Sequence, residues 1–401
     1  MSNGVKWDFK PINELCIFAI DCVNKTAPVV EYKTPYKMIR TTNVKNGFID
    51  LDTVRYVEKD IFDKWTRRSK PKYGDVILTR EAPVGSVGRF VSKDNNVFLG
   101  QRLFHYRPNP ELLDWNFLAY FLQSEAIQSK LDGMSFGATV DHITVEDAET
   151  LKIACPHISI QKKIGNILSN YDNLIENNNT RIKLLENMAE ELYKEWFIRL
   201  RFPNYQNTKI VDGVPDGWIW SNIGESINNF DSKRKPISKE NRELIDGIFP
   251  YYGAASILNY IDKYIFDGKY LLLGEDGTVI TKNGTPMLQF IKGKFWVSNH
   301  AHVLSGKIIS TEYLYLFFNS FSISGYITGT AQPKINQENL NSIKILIPSK
   351  IIIEEFDKYV VPIFENIFTL QLKNQNLKET RDLLLPRLIS GKLDIKDMDI
   401  V

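Results

Sequence analysis

The residues that could do chemistry in this chain cluster in polar loops, and their types suit contact with nucleic acid. Two basic stretches stand out, Lys64-Trp-Thr-Arg-Arg-Ser-Lys-Pro-Lys72 and Ser232-Lys-Arg-Lys-Pro236. A phosphate backbone is gripped by such groups, whereas base edges are read by Arg at guanine and by Asn or Gln at adenine. The first half offers Arg40, Thr41, Asn43, Arg67, Arg68, Arg80, Gln101, Arg102 and His142 as DNA-contact candidates. The second offers Lys233, Arg234, Lys235, Tyr251, Tyr252, Glu275, Asp276, Asn299, His300, Gln332 and Lys334. A basic run is commonly a solvated loop and an aromatic pair is as commonly core. The recurrence of basic stretches beside aromatic residues in both halves favours a gripping role.

Bond-making chemistry finds little support. The string Asn109-Pro-Glu lacks the second proline and the aromatic of an amino-methyltransferase motif. Gly293-Lys, Gly306-Lys and Gly391-Lys lack the following Ser or Thr and the upstream glycine of a phosphate loop. His300 and His302 alternate on one strand face and could hold a metal, but no third ligand is in view, so no metal site is assigned. Glu275-Asp276 reads as a solvated or base-accepting loop. Cys16, Cys22 and Cys155 are too few and too scattered for a disulfide framework or a zinc site.

The elements that position these loops repeat. Ile164, Leu168, Tyr171, Ile175, Asn178, Ile182, Leu185, Ala189, Leu192 and Trp196 form a heptad seam, and a second seam follows 192 positions later. It reads Phe356, Val360, Ile363, Ile367, Leu370, Asn374, Leu377, Arg381, Leu384 and Leu388. If Asn178 faces Asn374 in an antiparallel pair, the same register sets Ile164 against Leu388 and Trp196 against Phe356. The two asparagines would then fix that register by satisfying each other. Ahead of each helix, Trp7, Ile12 and Glu14 recur as Trp218, Ile223 and Glu225, and Gly137 to Thr144 matches Gly329 to Asn336. The apolar strand Gly74 to Glu81 aligns with Gly268 to Glu275 at an offset of 194, placing Glu81 opposite Glu275.

The plan is therefore globule, helix, globule, helix. A chain of 401 residues with 43% hydrophobic content has room for two cored domains, and the net charge of +2 leaves phosphate binding to local clusters. No apolar run reaches membrane-spanning length and no signal peptide opens the chain, so a cytoplasmic setting and no membrane partner are expected.

Over essentially its whole length the chain resembles the specificity subunit of type I restriction-modification systems. In the first half the resemblance rests on Lys64 to Asp75, Thr79-Arg-Glu-Ala-Pro-Val-Gly85 and Leu99-Gly-Gln-Arg102. In the second it rests on Phe249-Pro-Tyr-Tyr-Gly-Ala254, Tyr264-Ile-Phe-Asp-Gly268, Leu273-Gly-Glu-Asp-Gly277 and Gly329-Thr-Ala-Gln-Pro-Lys334. Glu191-Leu-Tyr-Lys-Glu-Trp-Phe197 and Arg381-Asp-Leu-Leu-Leu-Pro-Arg-Leu-Ile-Ser-Gly391 close the two helices in the family's manner.

The resemblance implies an α+β protein with a pseudo-twofold internal repeat, in which two globular α/β target-recognition domains are joined by two long antiparallel spacer helices. The expected boundaries are 1–155 and 201–348 for the domains, 156–200 and 349–392 for the helices, and 393–401 for a tail. Each domain would read one half of an asymmetric, interrupted site on double-stranded DNA. Methyltransferase subunits, two by expectation, would bring S-adenosylmethionine, and restriction subunits would bring ATP and Mg; this chain would hold no cofactor and catalyse nothing. About 33 residues of helix at ~1.5 Å rise span roughly 50 Å, which sets the length of a ruler between the two readers. The competing reading is a decoy or protein-only scaffold of the same fold.

Overall fold

The computed structural model describes residues 7–135, 141–329, 332–393 and 395. Gly137 and the last residues of the tail lie outside that set. The chain divides into two compact units, residues 1–177 with 374–401, and residues 178–373. Both division points fall inside long helices, so each unit owns part of both.

In the first unit a six-stranded sheet uses β1 (Cys16–Asp21), β3 (Val44–Lys45), β4 (Gly47–Ile49), β6 (Asp75–Thr79), β7 (Val87–Phe90) and β9 (Leu103–Pro108). Their order is β1-β9-β6-β7-β4-β3. A three-stranded sheet places β2 (Tyr36–Ile39) between β5 (Arg55–Val57) and β8 (Val97–Leu99). Every residue of β6 is buried, which explains its unbroken apolar run, because a central strand covered on both faces has no solvent side to alternate with. Helix α1 (Trp115–Gln123) covers the sheet, its N-terminus capped by Asp114 accepting from the Phe117 amide.

The second unit repeats the design. Its sheet runs β10 (Ile227–Asn229), β15 (Ala301–Gly306), β13 (Phe266–Gly274), β14 (Leu288–Val297), β11 (Phe249–Tyr252), β12 (Ile257–Ile261). One long strand, β14, does what β7 and β8 do separately: its end pairs in parallel with β11, as β8 pairs with β2. The short ribbons recur as well. Pro11 pairs with Lys152 and Asn222 with Lys344, and the amides of Ile12 and Ile223 donate to the carbonyls of Leu151 and Ile343. Thr144 and Asn336 then cap equivalent short helices by accepting from the amides of Asp147 and Asn339.

The long helices are α2 (Ile158–Tyr193) and α4 (Lys350–Ile389). In the first unit Ile164, Leu168, Leu388 and Ile389 enter one buried core with α1. The second unit buries Ala189, Tyr193, Trp196, Phe356 and Val360 together with helix α3 (Thr311–Ser320). Trp196 lies 5.5 Å from Phe356 between ring centroids. The second unit thus sets Trp196 against Phe356, as the heptads predict, and the first gathers Ile164 and Leu388 into one core. Asn178 is buried and Asn374 half-buried. Tyr193 and Phe197 turn inward, onto Tyr313 and Phe356.

Candidate nucleic-acid interface

In the first unit three loops converge where β6, β8 and β9 meet. The Arg80 amide donates to the Arg102 carbonyl at 2.9 Å, and the Ile143 amide donates to the Arg80 carbonyl at 3.1 Å. Glu81 bridges to His142, and its carboxylate holds Arg102 at 2.9 Å. The Gly100 amide bonds to the Ile39 carbonyl at 2.8 Å, which brings Arg40 and Thr41 beside Gln101. Thr26, which the sequence did not single out, donates to the Gln101 side chain at 3.2 Å. Arg68 joins the same edge through Asp21 at 2.6 Å, while Arg67 stays exposed.

The second unit assembles the same edge with different groups. The Glu275 amide donates to the His300 carbonyl at 2.8 Å and the Ile335 amide to the Glu275 carbonyl at 2.9 Å. Asp276 bridges to Lys334 and its carboxylate binds the His300 ring. The Ser298 amide bonds to the Tyr252 carbonyl at 2.9 Å and so sets Tyr252 beside Asn299. Gln332 is exposed close by. Backbone pairing thus makes Glu81 equivalent to Asp276, and Arg80 to Glu275. The sequence alignment of Glu81 with Glu275 is one residue out of register.

Several candidates turn out to be framework. Asn43 is buried, capping the Arg40 amide and donating to Thr53. Tyr251 is 0% exposed, its hydroxyl accepting from the Ile237 amide while Arg242 stacks on its ring. Burial leaves neither a face for a base. Arg80 is buried too, donating to the Ile143 carbonyl. Arg234 is spent inside the protein, bonding Glu275 at 2.6 Å, Asp231 at 3.5 Å and the Ala301 carbonyl at 2.9 Å. Its neighbours Lys233 and Lys235 remain exposed, Lys233 over the Phe230 ring and Lys235 offering its carbonyl to Trp296.

His302 parts company with His300. It is buried, its Nδ1 facing Asp231 and its Nε2 the Ile335 carbonyl at 2.9 Å. With Asp231 and Glu275 it offers three potential metal-ligand atoms in one place. Arg234 and Lys334 already neutralise these carboxylates, Lys334 reaching Glu275 at 3.1 Å, so the cluster is built as an ion-paired strut. Burial raises the Asp231 and Glu275 carboxyls, but His302 at the first and Arg234 at the second outweigh it and hold both below the ordinary range.

The first unit has its own strut, on β6 and β9. Asp75 accepts from His105, from Arg107 at 2.7 Å and from the Lys72 amide at 2.7 Å. His105 also meets Ser69 at 2.9 Å, and Arg107 donates to the Lys70 carbonyl at 2.8 Å. Three of these bonds, at Ser69, Lys70 and Lys72, tie the basic stretch 64–72 to the sheet. Burial works against the Asp75 charge, yet Arg107 and His105 hold its carboxyl below the ordinary value. Burial pushes His105 down.

What the two edges provide is exposed donors and acceptors held by carboxylates and backbone bonds. Comparison with known proteins agrees with a recognition role. The model of the type I restriction modification DNA specificity domain matches residues 4–187 and again 215–381. The chain is 26% identical over 381 residues to the type I restriction enzyme MjaIX specificity subunit of Methanocaldococcus jannaschii, covering 87% of this chain and 86% of that protein. It is 24% identical to the type I restriction enzyme HindI specificity subunit of Haemophilus influenzae, across 80% and 87% of the two chains. The crystal structure of an S subunit from M. genitalium shares the fold, with a TM-score of 0.60 at 19% identity over 97% of each chain. With both halves of the chain matched and the repeated edge in place in each, this protein belongs to the type I restriction-modification DNA specificity subunit family.

Proposed function

We propose that each unit reads one half of an asymmetric, interrupted DNA sequence, and that the chain presents this site to methyltransferase and restriction subunits without catalysing a step itself. The observation that carries this reading is the repeated edge. Two domains share backbone bonds residue for residue in role, yet expose different side chains there, as two readers of unlike half-sites require.

The helices support the scaffold role. Leu174, Leu184, Met188, Leu372 and Leu383 are exposed on α2 and α4, outside the buried seams. Apolar side chains left open on a paired helix suit a partner subunit, and two methyltransferase subunits, one for each repeat, fit the duplication. S-adenosylmethionine, ATP and Mg chemistry belongs on this reading to the partners, working on DNA in the cytoplasm. Among the described residues no helix is long and apolar enough to cross a membrane.

The test is a gel shift with purified chain, its cognate methyltransferase subunits and DNA carrying the bipartite site. Specific binding that weakens steeply with salt, as phosphate contacts demand, is expected. Assembly with the methyltransferase but no preference for any sequence would instead establish the protein-only scaffold.

A further inference from the structure

Two carboxylate-held side chains occupy the same place in the two units although no sequence motif relates them. Arg102 is held by Glu81 and His300 by Asp276. Each held side chain closes the turn that enters the strand beside the central one, β9 or β15, and each carboxylate follows a residue bonded to that turn and to the segment at 143 or 335. In both pairs the held side chain is the open member: Arg102 is 40% exposed against 22% for Glu81, and His300 50% against 18% for Asp276.

We propose that these carboxylate-held side chains are the equivalent base readers of the two domains, Arg102 specifying a guanine in one half-site and His300 a single base in the other. The inference rests on the DNA-reading function proposed above. A reader must arrive with its rotamer already fixed, since ordering a long side chain at the interface weakens binding. The half-buried carboxylate supplies that restraint. Glu81 binds Arg102 through Nε, which leaves the terminal nitrogens to donate to guanine O6 and N7. Asp276 takes Nδ1 of His300 and leaves Nε2 outward.

Backbone geometry separates Arg102 from an ordinary surface cation. It sits at φ 69°, in the left-handed region that a side chain-bearing residue rarely occupies. Such conformations gather where a side chain must be aimed. The groups beneath also differ, the buried Arg80 in one unit and the ion-paired Glu275 in the other.

The experiment methylates a random-sequence DNA library with the reconstituted complex of this chain and its methyltransferase subunits, and reads the modified motif. For Arg102→Gln, preference for guanine at one position of one half-site is expected to fall about tenfold or more, with the other half-site unchanged. Glu81→Gln should relax the same position, and His300→Gln one position of the opposite half-site. Arg102→Lys keeps the charge but loses the fork, and should relax that position even if the glutamine variant fails to fold. Unchanged base preference at every position, at full or uniformly reduced rate, would overturn the proposal and make these pairs structural or phosphate contacts. A wild-type complex that modifies no bipartite motif would overturn the DNA-reading function itself, and this proposal with it.

Discussion

Arg89 donates to the Asp172 carboxylate across 2.7 Å, with both side chains 2% exposed. Tyr120 and Arg381 share that carboxylate, and Asn116 accepts from the other arm of Arg89 at 3.0 Å. One acidic group on α2 thus pins β7, α1 and the end of α4 together within the first unit. Arg381 also pairs with Asp382, whereas the buried Arg89 relies on Asp172 for its ion pair, so removal of Asp172 would strand a buried cation.

Asp172→Ala is therefore expected to destabilise the first unit by about 3–5 kcal/mol, the range for breaking a buried pair from one side. Urea unfolding of the intact chain would show it as an early transition. Combining the change with Arg89→Met should recover part of the loss, because the stranded charge is gone. Additive losses would contradict the pairing.

The second unit docks on its helix by a more open arrangement. Glu365 of α4 meets Lys269 at 3.4 Å and also Lys292, all three side chains being partly exposed. Solvent screens such pairs, and Glu365→Gln should lower stability by no more than about 1 kcal/mol. A loss as large as that of Asp172→Ala would mean that exposure misjudges the anchor.

At the far end of the seam the anchor is aromatic. Trp196 packs on Phe356, and Tyr359 lies 6.1 Å away. Trp196→Ala should cost about 3–5 kcal/mol by leaving a cavity, read as a lowered urea midpoint for the second unit. An unchanged midpoint would show that the helices pair in another register.

Acid should loosen the first unit. His105 lies below its ordinary value of 6.5 and Asp75 below 3.8, so the unfolded chain binds protons more readily than the native one. Stability from His105 is complete above about pH 6.5 and is lost as pH falls through its lowered native value; Asp75 adds a further loss below about 3.8. The melting temperature of the first unit should fall between pH 7 and pH 5, and less steeply in His105→Gln. A rise over that interval would reverse the sign and refute the assignment.

Helix periodicity was readable because a seam needs apolar residues at fixed steps, and ten positions repeated at one offset leave little freedom. Trp196 with Phe356 follows from it. Strand register was less readable. Val76-Ile-Leu and Leu271-Leu-Leu are uniform apolar runs, and uniform runs slide without penalty, so sequence alone aligns Glu81 with Glu275 rather than with Asp276. Loop chemistry gave residue types but not their direction. Tyr251 and Arg234 look like contacts in sequence, yet the Ile237 amide claims one and Glu275 the other. His302 is legible as a candidate ligand, but its meeting with Asp231 is not, because nothing in their spacing joins residues that meet only across adjacent strands.

Methylation mapping of the host genome with and without this gene tests the central claim most directly. The account predicts that one methylated motif, two unlike half-sites separated by an unread spacer, disappears when the gene is deleted and returns with the wild-type chain. A methylome unchanged by the deletion would contradict it.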